Sequence, residues 1–150
     1  MRAWLPAVIW LGLIALESTD TFSSEHTGRV LFPIFHFFTG LGLAQFASWH
    51  FYIRKSGHFV GYASLSFLLF RAWRATLPRA EISLRSSSWS ISWSTLAFLA
   101  TTLVASLDEW HQSYIPSRTG TYKDVLLDSS AALFAQVMIL VILLLFRSSP

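Results

Sequence analysis

Cysteine is absent from the 150 residues. Disulfides, thiolate zinc sites and a cysteine nucleophile are excluded with it. Charge is scarce as well. Only 13% of residues are Asp, Glu, Lys or Arg, against ~25% in soluble domains. The net charge is +3 and the bases are scattered, so no nucleic-acid patch stands out. No loop has a recognised calcium-binding spacing. No internal repeat or pair of broken helices signals a transporter.

Apolar side chains make up 53% of the chain, and mean hydropathy is +0.50. They come in blocks, without a period of two, which points to lipid as the solvent. Thirteen Phe and seven Trp suit lipid-facing and interfacial positions. The expectation is one all-α domain over 1–150, a polytopic four-helix transmembrane bundle. Its helices are placed at about 3–17, 57–74, 89–109 and 125–146.

The first block, after Arg2, is short for a span of ~20 residues. A cleaved signal peptide is its rival, but no small-x-small site follows it, so an uncleaved helix is expected. The stretch 30–53 is apolar and aromatic, yet Pro33, His36, Gly40, Gly42, Gln45 and His50 interrupt it. It reads as an interfacial or re-entrant segment. Arg71, Arg74, Arg79 and Arg85 follow the second helix, with Glu81 the one acid among them, while Arg2 and Arg147 sit at the termini. The positive-inside rule then puts both termini of a multi-pass membrane protein in the cytoplasm. Every His and every acid except Glu81 falls on the outer side.

Three polar patches gather on that side. Lys55, His58 and Tyr62 are spaced i, i+3, i+7, on one helical face. Asp108, Glu109 and Gln112 close the third helix. Pro116, Ser117 and Arg118 lead into Tyr122, Asp124 and Asp128 at the start of the fourth. Solvated helix ends account for charges like these one at a time, and Asp124 suits a helix N-terminus. Asp128 is different, because it lies a full turn inside an apolar span, where an ionisable group turns inward and finds a partner. A short 108–124 connection brings the last two helix ends together. Lys55, Arg118 and Lys123 then face Asp108, Glu109, Asp124 and Asp128, and a charge-paired cluster of this kind is a candidate site.

Three blocks carry a family resemblance: RKSGHFVGYASL at 54–65, LDEWHQSYIPSR at 107–118 and GTYKDVLLDSSAALFA at 120–135. In order and spacing the chain resembles the VanZ-like family of bacterial membrane proteins, named for a teicoplanin resistance protein. Lys55, His58, Tyr62, Asp108, Glu109, Gln112, Pro116, Arg118 and Asp124 match position by position. Asp128 departs, standing where that family usually has Asn, and Ser130-Ala131-Ala132 stand where a Gly is common. The resemblance implies several transmembrane helices, a place in the cell envelope and a link to glycopeptide resistance or antibiotic response.

Two functional classes follow. In the first, a non-enzymatic protein in the lipid bilayer binds a lipid-linked or peptidoglycan-related ligand at Lys55, His58, Tyr62, Asp108, Glu109, Gln112, Arg118, Asp124 and Asp128. Arg118 and Lys55 would hold its anionic groups, with Trp110 and Tyr114 beside it at the interface. The alternative is a membrane hydrolase acting on lipid phosphates. Ser56-Gly57-His58 and Ser117-Arg118 are similar to blocks of type-2 phosphatidic acid phosphatases. Asp124 stands where those have their nucleophilic His, so the phosphohistidine step does not carry over. A divalent-cation site of Asp108, Glu109, Asp124 and Asp128 suits hard ions, but nearby Lys and Arg compete. No cofactor, metal or nucleic-acid partner is assigned, and the oligomeric state stays open.

Overall fold

The computed structural model describes residues 2–77 and 90–146. Among the described residues five helices run in chain order: α1 (Leu5–Glu17), α2 (Ser24–Thr39), α3 (Leu43–Thr76), α4 (Ile91–Gln112) and α5 (Tyr122–Leu145). A 3-10 turn at Asp20–Phe22 joins α1 to α2. No strand occurs among the described residues. Arg79, Glu81, Arg85 and Arg147, which enter the orientation argument, lie outside the described residues.

α4 and α5 are long and apolar enough to cross a membrane. With 24 residues, α5 is about 36 Å long at 1.5 Å per residue, more than the ~30 Å hydrocarbon core. α1 and the 20–39 segment pass the same test only as a pair bent by 75°.

Burial follows membrane logic. The buried positions of α5 are Asp128, Ala131, Ala132, Ala135, Gln136 and Ile139. Its Leu126, Leu133 and Phe134 are exposed, as are Leu99, Leu103 and Leu107 of α4. Small residues inside let helix backbones approach, and large apolar ones outside meet lipid. At the centre, Gln136 ties three helices together. Its Nε2 donates to Ser66 Oγ at 2.7 Å and to the Ser66 carbonyl at 3.1 Å, and its Oε1 accepts from Ser94 Oγ at 2.9 Å. Ser66 Oγ donates in turn to the Ala132 carbonyl. Gln136→Leu should therefore cost about 0.5–2 kcal/mol, the range of hydrogen bonds between membrane helices. Unfolding of the detergent-solubilised chain by SDS titration measures it, and a curve matching wild type would show that these bonds carry no stability.

α1 packs on α3 in the opposite direction. Trp4 meets Trp73 edge to face, with ring centroids 4.6 Å apart, and Trp10 Nε1 donates to the Gly61 carbonyl at 2.8 Å. The start of α1 and the end of α3 thus share one end of the bundle.

The helix expected from about 57 begins earlier, at Leu43, and runs unbroken for 34 residues. The Arg54-Lys55 pair lies inside it. The 30–53 stretch is two antiparallel helical pieces joined at Gly40, which adopts a left-handed φ of 69°. Phe46 of α3 packs on Phe32 and Phe35 of α2, and no residue of α2 is buried. α2 and the first part of α3, packed on each other, form an arm beside the bundle. Pro33 does not end α2.

Candidate functional site

The arm and the bundle enclose a cleft of about 750 Å³, within the ~300–1,000 Å³ range of small-molecule sites. Lys55, His58, Glu109, Gln112, Arg118 and Asp124 line it. Tyr62 and Asp108 stand on the other side of His58, around a much smaller recess. Asp128 is fully buried behind His58. The structure thus brings all nine sequence-predicted residues to one end of the bundle.

Specific neighbours hold several of them. Lys55 pairs with Asp124, whose backbone N–H is capped by Thr121 Oγ1 at the start of α5. Tyr62 Oη donates to Asp108 Oδ2 at 2.8 Å. Glu109 is 5% exposed, and its Oε2 accepts the Thr121 N–H at 2.8 Å, tying the end of α4 to the start of α5. His58 Nδ1 lies 3.5 Å from Asp128 Oδ2. Neither Asp128 oxygen has a hydrogen-bond partner among the described residues.

Arg118 sits in the α4–α5 connection. It donates to the carbonyls of Glu17 and Thr19 and so clasps the connection to the end of α1. Burial lowers the pKa of its guanidinium, against the opposite pull of Asp108 and Asp20. It remains a cation, since arginine is not deprotonated in proteins. Ser117 adds a bond to Asp20, and Ser18 Oγ meets His111 Nδ1 at 2.9 Å.

Several contributors were not among the site residues chosen from the sequence, although Arg54 stands in the first polar patch. Arg54 lines the cleft and donates to the Phe22 carbonyl at 2.7 Å. His50 also lines it, with Nε2 3.1 Å from Thr27 Oγ1. His50, Arg54, His58 and Tyr62 recur every four residues, a helical signal visible only once α3 is extended back to Leu43. Gly120 is the third. A Cβ there would lie 2.1 Å from the Glu109 carbonyl oxygen and 2.9 Å from Ser113 N. Trp110 and Tyr114 do not line the cleft. They stand exposed outside it, hydrogen-bonded to each other at 3.0 Å.

These features define a helical membrane protein with a charged site at one end of its bundle. The family model described as VanZ/LLP1 matches residues 3–146, nearly the whole chain, and the protein belongs to that family. Comparison with curated proteins and with solved structures finds no match.

Proposed function

We propose that the protein binds the anionic headgroup of a lipid-linked or other envelope molecule in the arm–bundle cleft. One observation carries this reading. Arg54 and Arg118 line the cleft, their hydrogen bonds go to backbone carbonyls and, for Arg54, a threonine hydroxyl, and among the described residues neither makes an ion pair. Guanidinium groups left without a carboxylate partner suit phosphate or carboxylate. Phe32, Leu43, Phe46 and Ala47 supply an apolar wall beside them, so the cleft suits an amphiphile.

In the same reading α1, the bundle part of α3, α4 and α5 cross the bacterial inner membrane, with the cleft outward and both termini cytoplasmic. Two placements support this. Arg2 at the start of α1 and Arg71 and Arg74 near the end of α3 lie at the end away from the cleft, as the positive-inside rule requires. The arm presents exposed Phe37, Phe38, Phe51 and Tyr52, suited to the membrane interface. A role in glycopeptide tolerance is the physiological side of this proposal. The hydrolase alternative has less behind it, because Asp124, at the position of the phosphatase nucleophile, is engaged by Lys55.

The chain in nanodiscs should retain phosphatidylglycerol or a polyprenyl phosphate in preference to phosphatidylcholine. Arg54→Gln should weaken that retention about tenfold or more, since hydrogen bonds to charged groups contribute ~1.5–3 kcal/mol. Equal retention of charged and zwitterionic lipids by wild type would overturn the proposal. Release of phosphate by the wild-type chain would favour the hydrolase instead.

A further inference from the structure

The carboxylate of Asp128 has a single ion-pair partner among the described residues, the imidazole of His58 at 3.5 Å. It is 0% exposed, and neither of its oxygens is hydrogen-bonded among the described residues. An isolated carboxylate in such a place costs several kcal/mol unless something neutralises it. The nearby cations are committed elsewhere: Lys55 to Asp124, and Arg118 to the end of α1. Tyr62 is spent on Asp108. What does face Asp128 is an imidazole, His58, with a second buried carboxylate, Glu109, alongside. One potential donor atom from each of these three lies within 4.8 Å of the others.

We propose that His58, Glu109 and Asp128 bind a divalent transition-metal ion, zinc or manganese. The donor set favours this class. One imidazole nitrogen disfavours magnesium and calcium, which take oxygen ligands, and two carboxylates without thiolate disfavour copper(I) and iron–sulfur clusters. Charge agrees, since two carboxylates and a neutral imidazole balance one divalent ion. One donor pair already has the spacing of a metal's ligands. Bonds of ~2.1 Å set the donors of a tetrahedral ion about 3.4 Å apart, and His58 Nδ1 and Asp128 Oδ2 are 3.5 Å apart. The Thr121 N–H fixes Glu109 from behind, the kind of second contact that orients metal ligands. Three protein donors leave a coordination position open, and His58 and Glu109 border the cleft. This set differs from the four-carboxylate one suggested by spacing. Asp108 and Asp124 are taken by Tyr62 and Lys55, and His58 enters.

The test needs no lipid ligand, so it stands or falls apart from the headgroup proposal. The full chain in detergent, stripped with chelator and desalted, is titrated with zinc chloride by calorimetry. Manganese chloride is followed separately by electron paramagnetic resonance. One ion per chain is expected, together with a rise in melting temperature on adding metal. Asp128→Asn keeps the shape of the side chain and should weaken binding at least tenfold and abolish the metal-dependent rise. His58→Gln should do the same. His26→Gln and His36→Gln, on the exposed arm, should leave binding unchanged. Failure of wild type to bind either ion, or binding lost with His26 or His36 and retained in Asp128→Asn, overturns the proposal. So does an Asp128→Asn chain that melts higher than wild type while wild type shows no metal-dependent shift, because a neutral buried acid would then account for Asp128.

Discussion

Gly120→Ala should be among the most damaging single-methyl changes in the chain. The added carbon would sit 2.1 Å from the Glu109 carbonyl oxygen and 2.9 Å from Ser113 N. Both are backbone atoms, and Ser113 N donates to that same carbonyl at 3.0 Å to close the last turn of α4. No flexible side chain can yield. Either the turn opens or the connection lifts off α4, taking the Thr121–Glu109 bond with it. Overpacking of this kind costs ~1–3 kcal/mol and at times more, and here the upper part of that range is expected. Tryptophan fluorescence during thermal unfolding in detergent reads it directly. Gly12→Ala is the control, because nothing lies within 4 Å of a Cβ at Gly12 and alanine is the better helix former. If both variants melt with wild type, the close approach at Gly120 does not exist.

Removing Lys55 should produce the second large effect. Lys55→Met leaves Asp124 without its partner, close to Asp128 and Glu109. Breaking a fully buried pair costs ~3–5 kcal/mol. The Lys55 side chain keeps 31% of its surface and that of Asp124 17%, so water screens part of the loss and about 1–3 kcal/mol is expected. The double variant with Asp124→Asn should recover much of it, because the orphaned charge is gone. A double-mutant cycle by SDS unfolding gives the coupling directly. Additive losses, with no recovery, would mean that the pair is a surface contact of no energetic weight. The lone Asp124→Asn change should cost less than Lys55→Met, since the ammonium can still turn to water.

α4 and α5 were legible in the sequence because hydropathy reports them directly. The apolar windows at 89–109 and 125–146 fall on helices at Ile91–Gln112 and Tyr122–Leu145. The start of α3 was not legible. Arg54 and Lys55 signal the edge of an apolar block, but a helix does not stop where its hydropathy changes. Both residues are good helix formers, and the backbone ladder continues through them. Nor did interruption have one meaning: Gly40 ends α2 with a left-handed turn, whereas Pro33 sits inside it. Among site residues, Lys55, His58 and Tyr62 were readable from helical spacing alone. Gly120 was not, since its constraint comes from Glu109 on another helix. Gln136 was hidden in the same way, as a single amide in the most apolar span whose partners lie on α3 and α4.

α3 passes without a break from the arm into the bundle, and it carries His50, Arg54, His58 and Tyr62 at intervals of four residues. Each interval is about 6 Å along the axis, so the three of them that line the cleft, His50, Arg54 and His58, span about 12 Å. Those distances belong to the helix and do not vary with the width of the cleft. α3 therefore acts as a ruler laid along one wall. In the proposed binding role, a molecule seated against it would be matched by the spacing of its polar groups, while α2, with no buried residue of its own, would set how thick that molecule can be.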